Sequence, residues 1–129
     1  MTFPDGEFLI RNRASGRCLD VAYMSTEAGG SVIAWEAKSD DEDASNQRWR
    51  FEDGQLINCH SGLALCFNQI EGESGATQEE RNGSDGQIFE YSDGIIRLAS
   101  HPEFVVGEWE GDVKIAHDDE SDPARRWEC

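Results

Sequence analysis

Residues 46–54 read NQRWRFEDG, and a similar closing segment returns at residues 86–94 as GQIFEYSDG. A shorter version, ARRW, stands at residues 124–127. In the first two copies aromatic and polar side chains alternate, which is the period-two pattern of a half-buried strand. The Asp-Gly pair that ends each of these copies indicates a tight hairpin turn, because glycine adopts positive φ without strain. The segments therefore predict three equivalent closing strands.

A second motif opens each repeat. It reads IRNRASGRCLDV at residues 10–21, LINCHSGLALCF at residues 56–67 and, more weakly, IRLASHPEFVV at residues 96–106. Each copy is an apolar run, a turn that contains Gly or Pro, and a second apolar run, which is typical of a β-hairpin. One more short apolar run follows each hairpin, and no window shows sustained helical periodicity. The pattern predicts about four strands per repeat and an all-β fold.

Three such repeats fill the chain, at approximately residues 7–53, 54–93 and 94–129. A chain of 129 residues fits a single domain, and repeats of this size close into one array because a lone repeat cannot bury its apolar face. We expect the closing aromatics, and one apolar residue of each hairpin, to occupy equivalent buried positions. These two sets are Trp49, Phe89 and Trp127, and Leu19, Leu65 and Val105.

Charge and composition exclude several classes of partner. The chain has 27 acidic and 11 basic residues, for a formal net charge of −16. So acidic a protein is not expected to bind nucleic acid or an anionic membrane surface, since both require basic patches. No apolar run approaches the roughly 20 residues that span a bilayer, so membrane insertion is not expected. The N-terminus lacks the features of a signal peptide, which favours a cytoplasmic location and leaves open a processed, secreted chain.

The chain shows no motif for catalysis or metal binding. Neither a GxSxG nor an HExxH motif is present, so we expect no enzymatic activity and no catalytic residues. The histidines are scattered and no CxxC pair exists, so we expect no metal site and no cofactor. Four cysteines are too few for a disulfide scaffold, although a Cys59–Cys66 bridge across a hairpin stays open.

Three Gln-x-Trp-like segments in register with three hairpins resemble the ricin-B-type β-trefoil lectins. The segment 47–49 matches that pattern fully, the segment 87–89 carries Phe for Trp, and the segment 125–127 keeps only the aromatic residue. Residues 16–21, GRCLDV, are close to the opening element of that family. The resemblance covers nearly the whole chain and implies a β-trefoil with pseudo-threefold symmetry. It also implies carbohydrate binding, with up to one site per repeat and no catalysis by the trefoil itself.

The resemblance places one complete sugar site in the first repeat. It implies that Asp20 accepts hydrogen bonds from two hydroxyls, that Trp35 stacks on the apolar face of the sugar, and that Asn46 binds a neighbouring hydroxyl. Gln47 would hold these side chains in place, and Tyr23 would form a wall of the pocket. Ile33 stands where the family often has a polar residue, which affects the choice of sugar. The residues alone also allow plainer roles, with Trp35 in the core and Asp20 in a turn.

The other two repeats lack this combination. Cys66 occupies the aspartate position of the second repeat, and its third strand has no aromatic residue. In the third repeat the same offset places Val106 at the aspartate position, His117 near the aromatic position and Arg125 in place of Gln47. Trp109 could serve an unrelated sugar surface, although an exposed or packing role is the preferred interpretation.

The resemblance implies galactose or N-acetylgalactosamine glycans as partners. A shallow site is expected to bind a monosaccharide weakly, so useful avidity would require a longer glycan or a homodimer that presents two sites. Secreted relatives often bridge the cysteine of the opening element to a second one after the stacking aromatic. Cys18 has no such partner in residues 36–38, which implies a buried free thiol and a reducing compartment. The rival interpretation is a β-trefoil that binds proteins, such as a protease inhibitor acting through a surface loop. The first-repeat sugar site discriminates between the two, because an inhibitor has no reason to keep it.

Overall fold

The structure is a computed structural model that describes residues 3–39 and 43–129. Twelve strands lie in these residues, four in each repeat, as predicted. The first repeat contains β1 (Arg11–Asn12), β2 (Cys18–Val21), β3 (Val32–Trp35) and β4 (Trp49–Glu52). The second contains β5 (Gln55–Asn58), β6 (Ala64–Cys66), β7 (Thr77–Glu79) and β8 (Phe89–Ser92). The third contains β9 (Ile95–Leu98), β10 (Phe104–Trp109), β11 (Asp112–His117) and β12 (Trp127–Glu128).

The helical segments of the described residues are single 3-10 turns. One, Ala22–Met24, follows β2, and the others, Ser45–Gln47, Asp85–Gln87 and Pro123–Arg125, stand just before the closing strand of each repeat. Across residues 3–39 and 43–129, none of them has the length and hydropathy needed to cross a bilayer.

The antiparallel sheets repeat one pairing scheme three times. Eight strands lie in the order β12-β1-β2-β3-β11-β10-β9-β8, and the other four lie in the order β4-β5-β6-β7. In each repeat the first strand pairs with the second and the second with the third. The closing strand of each repeat pairs with the first strand of the next, and β12 returns to β1. The fold is a β-trefoil with pseudo-threefold symmetry, which confirms the predicted class.

The three closing aromatics occupy equivalent positions in the core. Trp49 and Trp127 are completely buried, and Phe89 is nearly so. Each begins its closing strand, and each backbone N–H donates to a carbonyl near the start of its own repeat. Trp49 donates to Phe8 and Phe89 to Gly54, both at 2.9 Å, and Trp127 donates to Gly94 at 2.8 Å. This part of the sequence prediction is confirmed.

The third hairpin departs from the predicted register by one residue. In the first two repeats the paired residues are seven apart, 11 with 18 and 57 with 64, whereas in the third they are eight apart, 97 with 105. The closing indole N–H accordingly donates to the carbonyl of Leu19 in the first repeat, at 3.1 Å, and to that of Val106 in the third, at 2.8 Å. Val105 is buried as predicted, but Val106 is the counterpart of Leu19 and Leu65. The equivalence predicted for Val105 is therefore wrong, because the turn holds one extra residue.

Candidate functional site

A surface cavity of about 280 Å³ opens in the first repeat, where the end of β2, the Ala22–Met24 turn, β3 and the Ser45–Gln47 turn meet. Five of the six residues that the sequence analysis selected line this cavity: Asp20, Tyr23, Ile33, Trp35 and Asn46. The sixth, Gln47, is fully buried behind it. Three further residues, Ala22, Met24 and Lys38, also line the cavity and were missed.

Asp20 lies at the base of the cavity with its carboxylate fixed by two amides. The Nδ2 of Asn46 donates to Oδ1 at 3.1 Å, and the Nε2 of Gln47 donates to Oδ2 at 2.9 Å. A carboxylate oxygen accepts two hydrogen bonds, so each oxygen keeps one lone pair for a ligand. The amides thus fix the orientation of the carboxylate and leave it able to accept two hydroxyl groups.

Hydrogen bonds to the backbone fix the side chain of Gln47, which in turn donates to Asp20. Its Nε2 also donates to the carbonyl of Glu36 at 2.8 Å, and its Oε1 accepts from the backbone N–H of Lys38 at 3.0 Å. The side chain is therefore held at both ends, and its contact with Asp20 follows from the path of the chain after β3. Gln47 is a positioning residue for the carboxylate.

Lys38 was missed because its role depends on the path of the loop after β3. Its Nζ donates to Asn46 Oδ1 at 2.8 Å and to the carbonyl of Asp43 at 3.0 Å, and its third N–H has no partner among residues 3–39 and 43–129. Both amide protons of Asn46 are used, by Asp20 and by the carbonyl of Val21 at 3.1 Å. Toward a ligand Asn46 therefore accepts, and Lys38 supplies the donor. The one sequence signal was that Lys38 is the sole basic residue between Trp35 and Asn46.

Burial and charge act in opposite directions on Asp20. Burial raises the pKa of the Asp20 carboxyl above its ordinary value, and this effect outweighs the lowering by the Gln47 hydrogen bond, the Lys38 ammonium and the Asn46 hydrogen bond. A carboxylate shielded from water in this way gives stronger hydrogen bonds to a ligand than an exposed one would.

The aromatic side chains of the cavity face solvent. Trp35 is 60% exposed and Tyr23 is fully exposed, which rules out the core role that the sequence left open for Trp35. Trp35 ends β3, opposite Cys18, so alternation along the strand turns the indole outward while Ala34 faces the core. Ile33 is half-buried on the cavity wall. The cavity combines an exposed aromatic face with a fixed carboxylate.

The corresponding pocket of the second repeat has a different chemistry. The register places Cys66 at the position of Asp20 and Glu79 at that of Trp35. Gly86 stands in place of Asn46, since the next residue, Gln87, donates to the carbonyl of Glu80 at 2.8 Å as Gln47 donates to that of Glu36. A Cβ on Gly86 would lie 2.1 Å from the carbonyl oxygen of Phe67, so the backbone leaves no room for an asparagine there.

The third repeat holds a smaller cavity, of about 190 Å³, with a different lining. The shifted register makes Gly107 and Ala116 the counterparts of Asp20 and Trp35, which corrects the predicted Val106 and His117. The indole of Trp109 covers Gly107 so closely that a Cβ there would lie 2.5 Å from the ring. Arg125 stacks on the same indole, 5.0 Å from the ring centroid, and also contacts Asp122. Trp109 is therefore a packing residue.

All four cysteines lie in the described residues, and each is a free thiol in the structure. Cys18 and Cys66 are buried, whereas Cys59 is half-buried and Cys129 is exposed. Burial raises the pKa of the Cys18 thiol, so its reactive thiolate is disfavoured. A Cys59–Cys66 bridge is not formed here.

Residues 6–127 match the family described as the ricin-type β-trefoil lectin domain. Mucoricin of Rhizopus delemar is 42% identical over 62 residues, a match that covers 47% of this chain and 41% of mucoricin. The chain thus spans less than half of that relative. The solution structure of the mdaA-1 domain has a TM-score of 0.88 at 26% identity, covering 99% of this chain and 91% of that one. The earthworm R-type lectin C-half in complex with GalNAc has a TM-score of 0.82 at 17% identity, covering 97% of each chain.

The fold and the family match define a lectin-type binding module. The chain belongs to the ricin-type β-trefoil lectin family, because the family match covers nearly its full length. This membership supports carbohydrate binding as the function of the chain. The description of the family as a lectin domain indicates a binding module.

Proposed function

We propose that the protein binds galactose- or N-acetylgalactosamine-type glycans through the first-repeat pocket. One observation carries the proposal: of three pseudo-equivalent positions, this one alone in the described residues combines a fixed carboxylate, an amide and an exposed indole. Sugars present hydroxyl groups beside an apolar face of C–H groups. A carboxylate with an amide can bind the hydroxyls, and an aromatic ring can pack on the apolar face.

Each side chain has a distinct role in the proposed complex. The two free lone pairs of Asp20 accept from two neighbouring hydroxyls, and the remaining lone pair of Asn46 Oδ1 accepts from one of the same groups. The free N–H of Lys38 donates to a hydroxyl oxygen, which supplies the donor that Asn46 cannot. Trp35 stacks on the apolar face of the sugar.

The class of sugar rests on the family and on the surroundings of the pocket. The earthworm lectin of similar fold is solved with N-acetylgalactosamine, which supports this choice here. Ile33 adds apolar surface to the pocket, and that surface suits the methyl group of an N-acetyl substituent. A net charge of −16 repels acidic glycans, so neutral glycans are the better ligands.

A shallow pocket with few polar contacts predicts weak binding of a monosaccharide. We expect a Kd of about 1 mM, or about −4 kcal/mol. Useful affinity for a cell surface or a glycoprotein then requires several sites, and a homodimer with two first-repeat pockets would supply them.

A glycan array with isothermal titration calorimetry of galactose and N-acetylgalactosamine tests the proposal. Asp20→Ala removes charge-assisted hydrogen bonds that contribute about 1.5–3 kcal/mol, so binding of millimolar strength should become undetectable. Cys66→Ala alters the counterpart position of the second repeat and should leave binding unchanged. Circular dichroism shows whether each variant is folded.

Two results would contradict the proposal. If Asp20→Ala binds the sugars as tightly as the wild type, the site lies elsewhere. If the wild type binds no glycan on the array, the protein-binding alternative becomes the better interpretation, and a protease panel run beside the array tests it.

A further inference from the structure

Two large apolar side chains are strongly exposed in the described part of the chain, and both belong to the first-repeat pocket. They are Trp35 and Tyr23, of which Tyr23 is fully exposed. The proposed contacts of one sugar ring use Trp35 and the polar groups beside Asp20. They leave the Tyr23 ring without a ligand to cover it.

The backbone holds Tyr23 in a conformation that side chains rarely adopt. Tyr23 and Met24 have φ values of 57° and 53°, in the left-handed region that disfavours residues other than glycine. The turn is nevertheless fixed at both ends. The N–H of Ala22 donates to the carbonyl of Ser31 at 2.9 Å, and the N–H of Ser25 donates to the carbonyl of Ala22 at 3.2 Å. The ring is therefore directed outward by an ordered backbone.

The same amide fixes this turn and the sugar-binding carboxylate. Asn46 Nδ2 donates to Asp20 Oδ1 and to the carbonyl of Val21, the residue that immediately precedes the turn. The position of the Tyr23 ring is thus coupled to that of the carboxylate. Strained residues with such support are characteristic of ligand sites.

We propose that Tyr23 and Met24 form a second subsite, which binds the sugar residue linked to the one that Asp20 and Trp35 hold. The inference rests on the proposed function and narrows its ligand to a neutral disaccharide or a longer glycan. The phenol ring offers an apolar face to the C–H groups of a sugar, and its hydroxyl both donates and accepts at the rim. The flexible thioether of Met24 can adapt to the shape of the linked residue.

Calorimetry with galactose, lactose and melibiose tests the second subsite, because the two disaccharides carry terminal galactose in β and α linkage. The readout is the ratio of disaccharide to galactose affinity. Tyr23→Asn removes the ring, and asparagine tolerates a left-handed backbone. Glu110→Asn is the matched control, since Glu110 is an exposed residue of similar φ, 54°, in the β10–β11 turn. Tyr23→Gly removes the ring and relieves the strain, so it serves if Tyr23→Asn does not fold.

We expect the wild type and Glu110→Asn to bind at least one disaccharide about fivefold to tenfold more tightly than galactose. In Tyr23→Asn and Tyr23→Gly the ratio should fall to about one. A ratio near one for both disaccharides in the wild type would overturn the second subsite and leave the proposed function standing. An unchanged ratio in the folded Tyr23 variants would do the same. Absence of binding to all three sugars by the wild type would instead contradict the proposed function, and the second subsite with it.

Discussion

The first-repeat pocket and its two counterparts share a backbone scheme but not a surface. All three stand between a second and a third strand and a 3-10 turn that precedes the closing strand. Each holds a cavity, of about 280, 270 and 190 Å³ in the first, second and third repeats, and in the first Asp20 lies at its base beside an exposed indole. In the second, the backbone of Gly86 lies against Phe67, and in the third Trp109 packs over Gly107. Pseudo-symmetry thus preserves the core aromatics, while the residues that line the three pockets differ from one repeat to the next.

The largest expected effect concerns Gly86, which stands in the second pocket at the position of Asn46 in the first. Gly86→Ala places a Cβ 2.1 Å from the Phe67 carbonyl oxygen, so the backbone must shift. We expect a loss of about 3 kcal/mol in the free energy of unfolding, measured by urea denaturation. Gly72→Ala is the control, because its Cβ would meet no atom within 4 Å, and it should change stability by less than about 1 kcal/mol. Equal effects of the two substitutions would show that the backbone at Gly86 has room for a side chain.

Two tryptophans provide a second test, of the difference between the first and third pockets. Trp109→Ala should lower the free energy of unfolding by about 2 kcal/mol, since it removes the stacking of Arg125 and the 3.3 Å hydrogen bond to Asp122. It should leave galactose binding intact. Trp35→Ala should do the reverse, with a stability change within about 0.5 kcal/mol and loss of detectable sugar binding.

Denaturation and calorimetry on the two variants separate these roles. Loss of sugar binding in Trp109→Ala, with binding retained in Trp35→Ala, would transfer the site to the third repeat.

The sequence was sufficient to predict the fold because the fold depends on spacing. Alternating aromatics and hairpin turns recur three times, and each copy independently indicates the same four-strand unit. The resemblance to the ricin-B-type lectins selected Asp20, Trp35 and Asn46, and they do line one cavity. Gln47 was predicted to hold Asp20 in place, and its side chain does donate a hydrogen bond to the Asp20 carboxylate.

What the sequence could not predict depends on local backbone paths. One extra residue in the third hairpin shifts β10 and β11 by one position relative to the first repeat. Gly107 rather than Val106 is therefore the counterpart of Asp20. Lys38 reaches the pocket because its loop folds back onto Asn46, and the hydrophobic periodicity of the sequence does not predict the path of such a loop. The loss of the second site was predicted from Cys66, but the close approach of the backbone at Gly86 was not.

A smaller effect, on pH, tests whether the ionised form of Asp20 binds the sugar. A protonated carboxyl loses acceptor capacity, so galactose affinity should fall as the pH falls through the raised pKa of Asp20, by about tenfold per pH unit below it. The effect on stability has the opposite sign. Because folding raises this pKa above the ordinary value of about 3.9, ionised Asp20 disfavours the folded state, and acidification through this window relieves that cost.

The difference in unfolding free energy between the wild type and Asp20→Asn, followed with pH, isolates the contribution of Asp20 to stability. Calorimetry over the same range follows galactose affinity. Affinity that does not change with pH across the window would mean that the charge of Asp20 is not required.

The smallest expected effect is that of a reductant, which should leave the unfolding midpoint unchanged. The aspartate position of the first pocket has become Cys66 in the second, and neither Cys66 nor Cys18 is bridged in the structure.

Alkylation of the native, unreduced protein followed by mass spectrometry should reveal at least two free thiols. Cys18 should react slowly because burial hides its sulfur and raises its pKa. A Cys59–Cys66 bridge would appear as one linked peptide pair and would still leave Cys18 free. Two disulfides would contradict the predicted thiol state of Cys18, and with it the argument that this lectin resides in a reducing, cytoplasmic compartment.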